Sequence, residues 1–322
     1  MRVRAFPLLL IALVLAACAP VANQAATPTP DGTTAAACPA APTPGAIPDW
    51  TSPASPTVLP VIVSSQQACG LNRFVFSMLD SSSRPVASPD RSARIAFYDL
   101  GRDPSTPVSQ GDATFVWAIE GSVGVYVTTA TFDQSGRWGA AITTSKAGGA
   151  AETIRITFDV QPKATTLGIG DRAPADKTPT LADVGGDVAQ LSTDPSPDPA
   201  MYQTSIAAAI AAAKPFVVVF ATPKFCTSGQ CGPTLDRVKQ VMASFPGVTF
   251  INVEPYELTW ANGQLQAVLD ANGQLKPVQA VTDWGLVSEP WIFVVDRTGT
   301  ITGSFEGVVG SDELAAAIRA VE

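Results

Sequence analysis

The chain of 322 residues contains no histidine, and its 20 Lys and Arg are outnumbered by 28 Asp and Glu. Without imidazole there is no Ser-His-Asp or Cys-His catalysis, no haem on a His ligand, and no His-containing zinc or non-haem iron site. A formal net charge of −8 argues against the basic face that a nucleic acid needs. Charged residues make up only 15%, yet no stretch beyond the N-terminal region is long and apolar enough to read as a membrane helix. What is present is 46% apolar residues and, at roughly 100–200 residues per domain, chain enough for two cores. The chemically distinctive residues are five cysteines: Cys18, Cys38, Cys69, Cys226 and Cys231.

Met1-Arg2-Val3-Arg4 is a short positive region followed by an apolar run, Ala5 to Val14. At about ten residues the run is too short to span a bilayer and fits an export signal. It ends in Leu15-Ala16-Ala17-Cys18, which resembles the lipobox of bacterial lipoproteins. The resemblance implies removal of residues 1–17, acylation of Cys18, and a lipid anchor that holds the protein to the cell membrane without spanning it. Ordinary signal cleavage with Cys18 incidental is the alternative. Either route leads outside the cytoplasm, where disulfides persist. Residues 18–60 are rich in Pro, Ala and Thr and read as a disordered tether.

Residues 61–162 read as an all-β sandwich. Arg73–Leu79, Ala93–Leu100, Ala113–Ile119, Val123–Phe132, Gly139–Thr144 and Thr153–Val160 are short β-branched or aromatic runs separated by turns. Tyr126–Asp133 followed by Gly136-Arg137-Trp138 resembles one hairpin of the immunoglobulin-like accessory modules of bacterial surface proteins. Cys38 and Cys69 are a candidate structural disulfide that would staple the tether to this domain, provided their Cα atoms lie close enough.

Residues 163–198 read as a Pro- and Asp-rich linker and the start of the C-terminal domain, and residues 199–322 alternate α and β. Pro199–Ala213 reads as a helix capped by Asp198, and Phe216–Phe220 as a strand buried on both faces. A helix over Pro233–Phe245 and a strand over Val248–Val253 follow. Trp291–Val295 and Thr300–Phe305 form a hairpin, and the last helix starts after Ser311. With Cys226-Thr227-Ser228-Gly229-Gln230-Cys231-Gly232-Pro233 after the first strand and Ser288-Glu289-Pro290-Trp291 before the hairpin, this region resembles the thioredoxin-like thiol–disulfide oxidoreductases. The expected fold class is an N-terminal immunoglobulin-like sandwich followed by an α/β thioredoxin-like fold. The resemblance implies exchange with thiols or disulfides of exported proteins, Cys226 and Cys231 as the reacting pair, Pro290 opposite them, and no cofactor or metal.

The chemistry needs a thiolate, and the N-terminus of a helix starting at Pro233, just after the cysteine pair, favours one. Lys224 is a further candidate cation. The chain departs from the family in placing four residues between the cysteines, and in carrying Val219 where the family has a buried acid. Glu289 is a candidate proton acceptor in its place, or a solvated loop acid. Chain order favours Cys226 as the attacking sulfur, although Cys231-Gly232-Pro233 copies the start of the family's own motif.

Three alternatives stand beside this reading: a peroxiredoxin-like peroxide reductase, Cu(I) handling by two thiolates, and a binding module with a purely structural Cys226–Cys231 bond. The repeat of Ala261-Asn262-Gly263-Gln264-Leu265 at residues 271–275 suggests a flap. Trp260, Trp284 and Trp291 divide between core packing and a groove beside the disulfide.

Overall fold

Alternation of apolar and polar residues builds the first eight strands into two sheets. They are β1 (Leu59–Ile62), β2 (Gly70–Leu79), β3 (Arg91–Asp99), β4 (Ser109–Asp112), β5 (Thr114–Ile119), β6 (Val123–Phe132), β7 (Gly136–Lys146) and β8 (Glu152–Val160). One sheet runs β1, β2, β6, β5 and the other β4, β3, β7, β8. Every pairing in both is antiparallel. Pro60 sits in β1, an edge strand, where its missing N–H costs little. The computed structural model describes residues 38–40, 42, 50 and 55–322, so Cys18 and the N-terminal apolar run lie outside the described residues.

Between the two sheets Phe74, Phe97, Phe132, Trp138 and Phe158 pack at tilted and edge-to-face angles, and Phe76 stacks on Tyr126. Burying each such side chain stabilises the fold by roughly 1.5–3 kcal/mol. β6 and β7, expected to form one hairpin, belong to different sheets, and Asp133–Ser135 crosses between them. Cys38 and Cys69 are bonded, with Cα atoms 6.1 Å apart. Ser135 N donates to Pro39 O at 3.0 Å. Trp50 lies against Gly139, whose lack of a side chain leaves room for the indole ring, and against Tyr98 at 4.7 Å between centroids. Parts of the segment expected to be a tether therefore lie on the sandwich.

β2 breaks the simple alternation. Phe74, Val75, Phe76, Ser77 and Met78 are all buried. Phe74, Phe76 and Met78 face the second sheet, while Val75 joins Ala118, Val125 and Val127 in a cluster with Val308 from the C-terminal region. Arg73 seals this contact. Its guanidinium pairs with Glu313 (2.7 and 2.9 Å) and donates to the carbonyls of Val308 (2.8 Å) and Glu306 (3.3 Å). Residues 38–322 accordingly form one compact unit.

In the C-terminal region β9 (Phe216–Phe220) pairs in parallel with β10 (Thr249–Val253) and antiparallel with β13 (Trp291–Val295), which carries β14 (Ile301–Glu306) at the far edge. β11 (Leu258–Ala261) and β12 (Gln264–Ala267) form a separate two-stranded sheet. The helices are α1 (Ile206–Ala211), α2 (Cys231–Met242), α3 (Gln279–Asp283) and α4 (Ser311–Arg319). Leu235, Val238, Leu314 and Ile318 from α2 and α4 pack with Val217 and Val219 on one face of the larger sheet, and Ile206 and Trp284 pack on the other.

The expected fold class, ending in an α/β thioredoxin-like fold, is corrected here. The described chain is mostly β, with four small sheets and few helices, of 6, 12, 5 and 9 residues. The reason is visible in the Ala-rich segment read as one helix over Pro199–Ala213. Asp198 and Ser205 each cap a separate turn, giving a 3₁₀ turn at Pro199–Tyr202 and then the six-residue α1. Tyr202 between them is held in the core by hydrogen bonds with Ser192 (2.7 Å) and Asn252 (2.8 Å), which override local helix propensity. No helix among the described residues is long and apolar enough to cross a membrane.

Because Arg73 is largely buried, replacing it with Ala leaves three carbonyl and carboxylate partners in the contact without a donor. Arg73→Ala is expected to cost about 2–4 kcal/mol in urea unfolding, while Arg84→Ala, an exposed pair with Asp80, changes stability by less than about 1 kcal/mol.

Candidate functional site

Cys226 follows the β9 strand by six residues and Cys231 opens α2; the two are bonded with Cα atoms 6.0 Å apart. Gly229, at φ +69°, supplies the left-handed step that brings the loop back. Cys231 is fully buried against Leu235 and Val309, whereas Cys226 is half-buried at the surface of the same cluster. Gln230, the residue before α2, makes no side-chain cap to the helix. The sulfur of Cys226 takes that place, accepting from Cys231 N at 3.3 Å and lying 3.3 Å from Ser228 Oγ. An unpaired N–H and the positive end of a twelve-residue helix thus meet the sulfur that is open to solvent. These groups converge on the sulfur of Cys226 and not on that of Cys231.

Pro290 is buried, is joined to Glu289 by a cis peptide bond, and precedes β13. Trp291 pairs with Phe220, so Pro290 lies at the end of the sheet from which the chain leaves β9 for Cys226. Glu289, the candidate proton acceptor, accepts a hydrogen bond from Tyr256 Oη at 2.8 Å. Burial, and then the bond to this carboxylate, raise the Tyr256 phenol well above its ordinary range. Lys224 is turned to other work. Its ammonium donates to Leu265 O (2.7 Å) and Gln264 Oε1 (3.1 Å), tying the cysteine loop to the β11–β12 hairpin.

Asn262-Gly263 is the two-residue turn of that hairpin, with both residues at positive φ. Its repeat at Asn272-Gly273 is a tight turn capped by Asp270 and flanked by a single bridge between Leu269 and Leu275. Trp284 and Trp291 pack on Phe293 in the core, while Trp260 on the hairpin is 41% exposed.

The sequence reading missed two partners from outside the C-terminal strands. Arg237 on α2 donates to Trp117 O (3.0 Å) in β5 and to Val309 O (3.1 Å). An added side chain at Gly229 would come within 3.9 Å of Ile119, so the sandwich edge flanks the cysteine loop.

The reading also missed Glu254, which follows β10 and is only 9% exposed. Its Oε1 accepts from Thr193 N (2.6 Å) and Thr193 Oγ1 (2.8 Å), while Oε2 is buried without a partner. Burial dominates, raising this carboxyl to about 7 against the lowering influence of Thr193 and the neighbouring Thr222. The only signal in the chain was an acid directly after a buried apolar strand. Glu254, Tyr202, Tyr256 and Leu265 line a cavity of about 560 Å³ beside the hairpin. Among the described residues no group of three or more His, Cys, Asp or Glu is placed to hold a metal ion.

No protein-family model matches the chain, and no curated protein does. Solved structures that match include a DUF4426 family protein from Pseudomonas aeruginosa, at 14% identity over 33% of this chain and 91% of that one, with a TM-score of 0.24. The Lin-41 filamin domain matches at 13% identity over 35% of this chain and all of that one (100%), with a TM-score of 0.20. An engineered protein matches at 14% identity over 32% of this chain and 20% of that one, with a TM-score of 0.19. Likeness at these scores carries no argument about activity.

Glu254 makes stability depend on pH. Its folded value of about 7 exceeds the ordinary 4.5, so its contribution is complete below about pH 4.5 and is lost as pH rises through 7. Relative to Glu254→Gln, the native protein is expected to lose on the order of 3 kcal/mol between pH 4.5 and pH 8, read from urea unfolding at each pH.

Proposed function

We propose that this chain carries out thiol–disulfide exchange with exported proteins, with Cys226 as the attacking sulfur and Cys231 as the resolving one. The observation that carries the reading is the 3.3 Å hydrogen bond from Cys231 N, at the start of α2, to the half-exposed Cys226 sulfur. In the reducing direction, the Cys226 thiolate attacks one sulfur of a partner disulfide, forms a mixed disulfide and expels the partner's first thiolate. Cys231 then gives up its proton and attacks Cys226, releasing the second partner thiolate and closing the Cys226–Cys231 bond. Two electrons pass to the partner, and a dithiol reductant restores the pair. The reverse sequence oxidises a partner dithiol.

The resemblance of residues 226–233 and 288–291 to thiol–disulfide oxidoreductases points the same way. Two disulfides are compatible with a location outside the cytoplasm. Anchoring by acylation of Cys18 belongs to the same proposal, resting on the lipobox-like Leu15-Ala16-Ala17-Cys18.

Cys226→Ser is expected to abolish reduction of a model disulfide substrate, and Cys231→Ser to accumulate the mixed disulfide on Cys226, visible by mass spectrometry. A reduction potential of the pair between roughly −120 and −270 mV supports exchange; a value below about −300 mV makes the bond a permanent staple and overturns the reading.

A further inference from the structure

Glu254 takes no part in the exchange steps above, yet it is the buried acid closest in the hydrogen-bond network to the turn that leads to Cys226. Its carboxyl accepts both donors of Thr193. Thr193 Oγ1 in turn accepts from the backbone N–H of Lys224 at 3.2 Å and lies 3.4 Å from Thr222 Oγ1. Thr222 is fully buried, and its carbonyl accepts from Phe225 N at 3.3 Å, closing the turn immediately before Cys226. One carboxyl therefore holds, through one threonine, the backbone of the segment that presents the sulfur.

We propose that Glu254 is a positioning residue for the Cys226 thiol: through Thr193 it holds the Thr222–Cys226 turn, and gain or loss of its proton changes the reactivity of the sulfur. The proposal rests on the exchange reading for its biological meaning. An ionised Glu254 tightens the Thr193 hydrogen bonds, because charge-assisted bonds are shorter and stronger, and its field opposes formation of a second anion at Cys226. A protonated Glu254 removes that opposition. The cavity at its side gives the carboxyl a route for proton exchange with solvent.

The surrounding groups leave this carboxyl without a cation of its own. The charge of Asp194 adds to the rise of the Glu254 carboxyl. Asp194 is itself paired with Lys239 from α2 at 2.7 Å. Tyr202, from the 3₁₀ turn, feels the Glu254 charge and is pushed up to about 12, mainly by burial. The Lys224 ammonium is engaged at Leu265 and Gln264, and Glu257 on the neighbouring segment is paired with Lys276 at 2.8 Å.

The test is the rate of alkylation of Cys226 by iodoacetamide in the reduced full chain from pH 5 to pH 9, resolved by peptide mass spectrometry. The native protein is expected to show two inflections and Glu254→Gln one, with the variant reacting about two- to fivefold faster at pH 8. Superimposable profiles would overturn the proposal. Should the variant fail to fold, ¹³C carboxyl titration of the native protein decides. By reciprocity the Glu254 midpoint must differ between the oxidised and reduced forms, and an unchanged midpoint sinks the coupling. Turnover of a model disulfide is measured in parallel. Absence of turnover with a Glu254-dependent profile overturns the exchange reading alone; turnover with identical profiles overturns the coupling alone.

Discussion

The outer face of the sheet formed by β1, β2, β6 and β5 carries Val75, Ala118, Val125 and Val127, and such a face has to be covered. The C-terminal region covers it with Val308, and the rest of the structure depends on that contact. Arg73 makes the cover specific. A guanidinium buried there needs its donors satisfied, and the carbonyls of residues 306 and 308 with the Glu313 carboxylate meet that need in one geometry. Glu313 also accepts from Gly310 N at the start of α4, so the same carboxylate orients a helix and closes an interface.

The cysteine loop inherits its position from this arrangement. α2 is fixed by its apolar side against the sheet and by Arg237, which reaches a sandwich carbonyl and a C-terminal carbonyl at once. A helix held at its middle by two regions presents its N-terminus with little freedom, and that N-terminus is where the Cys226 sulfur is bound. The sandwich thus borders the candidate site, since Ile119 stands beside the cysteine loop. Preorganisation of this kind lets a single hydrogen bond matter, because no loop ordering has to accompany its formation.

Much of the local structure was legible beforehand. The strands at β2, β3, β5 to β8, β9, β10 and β13 announced themselves as β-branched and aromatic runs, because a pleated surface buried on at least one face selects such side chains. β1 and β4 escaped notice because Leu59–Ile62 contains a proline and Ser109–Asp112 is polar. The six-residue α1 was overread because alanines have high helix propensity, while the buried Tyr202 sets where the backbone turns. Of the candidate site, the cysteines were legible as a closely spaced pair, and Pro290 only through the resemblance of residues 288–291. Thr193, Glu254 and Tyr256 were not, since nothing local marks a threonine in a Pro- and Asp-rich segment as the partner of an acid 61 residues away.

The amino-acid sequence by itself excluded histidine-based chemistry and set a cysteine pair between a strand-forming and a helix-forming segment. It also determined the strand-forming segments, because side-chain alternation acts over a few residues. Tertiary structure decided the rest. Whether Val75 faced solvent or protein, which sulfur stayed exposed, and what environment surrounds Glu254 all depend on segments far apart in the chain meeting in space. Burial and charge act through distance in three dimensions, and the order of residues along the chain does not contain that distance.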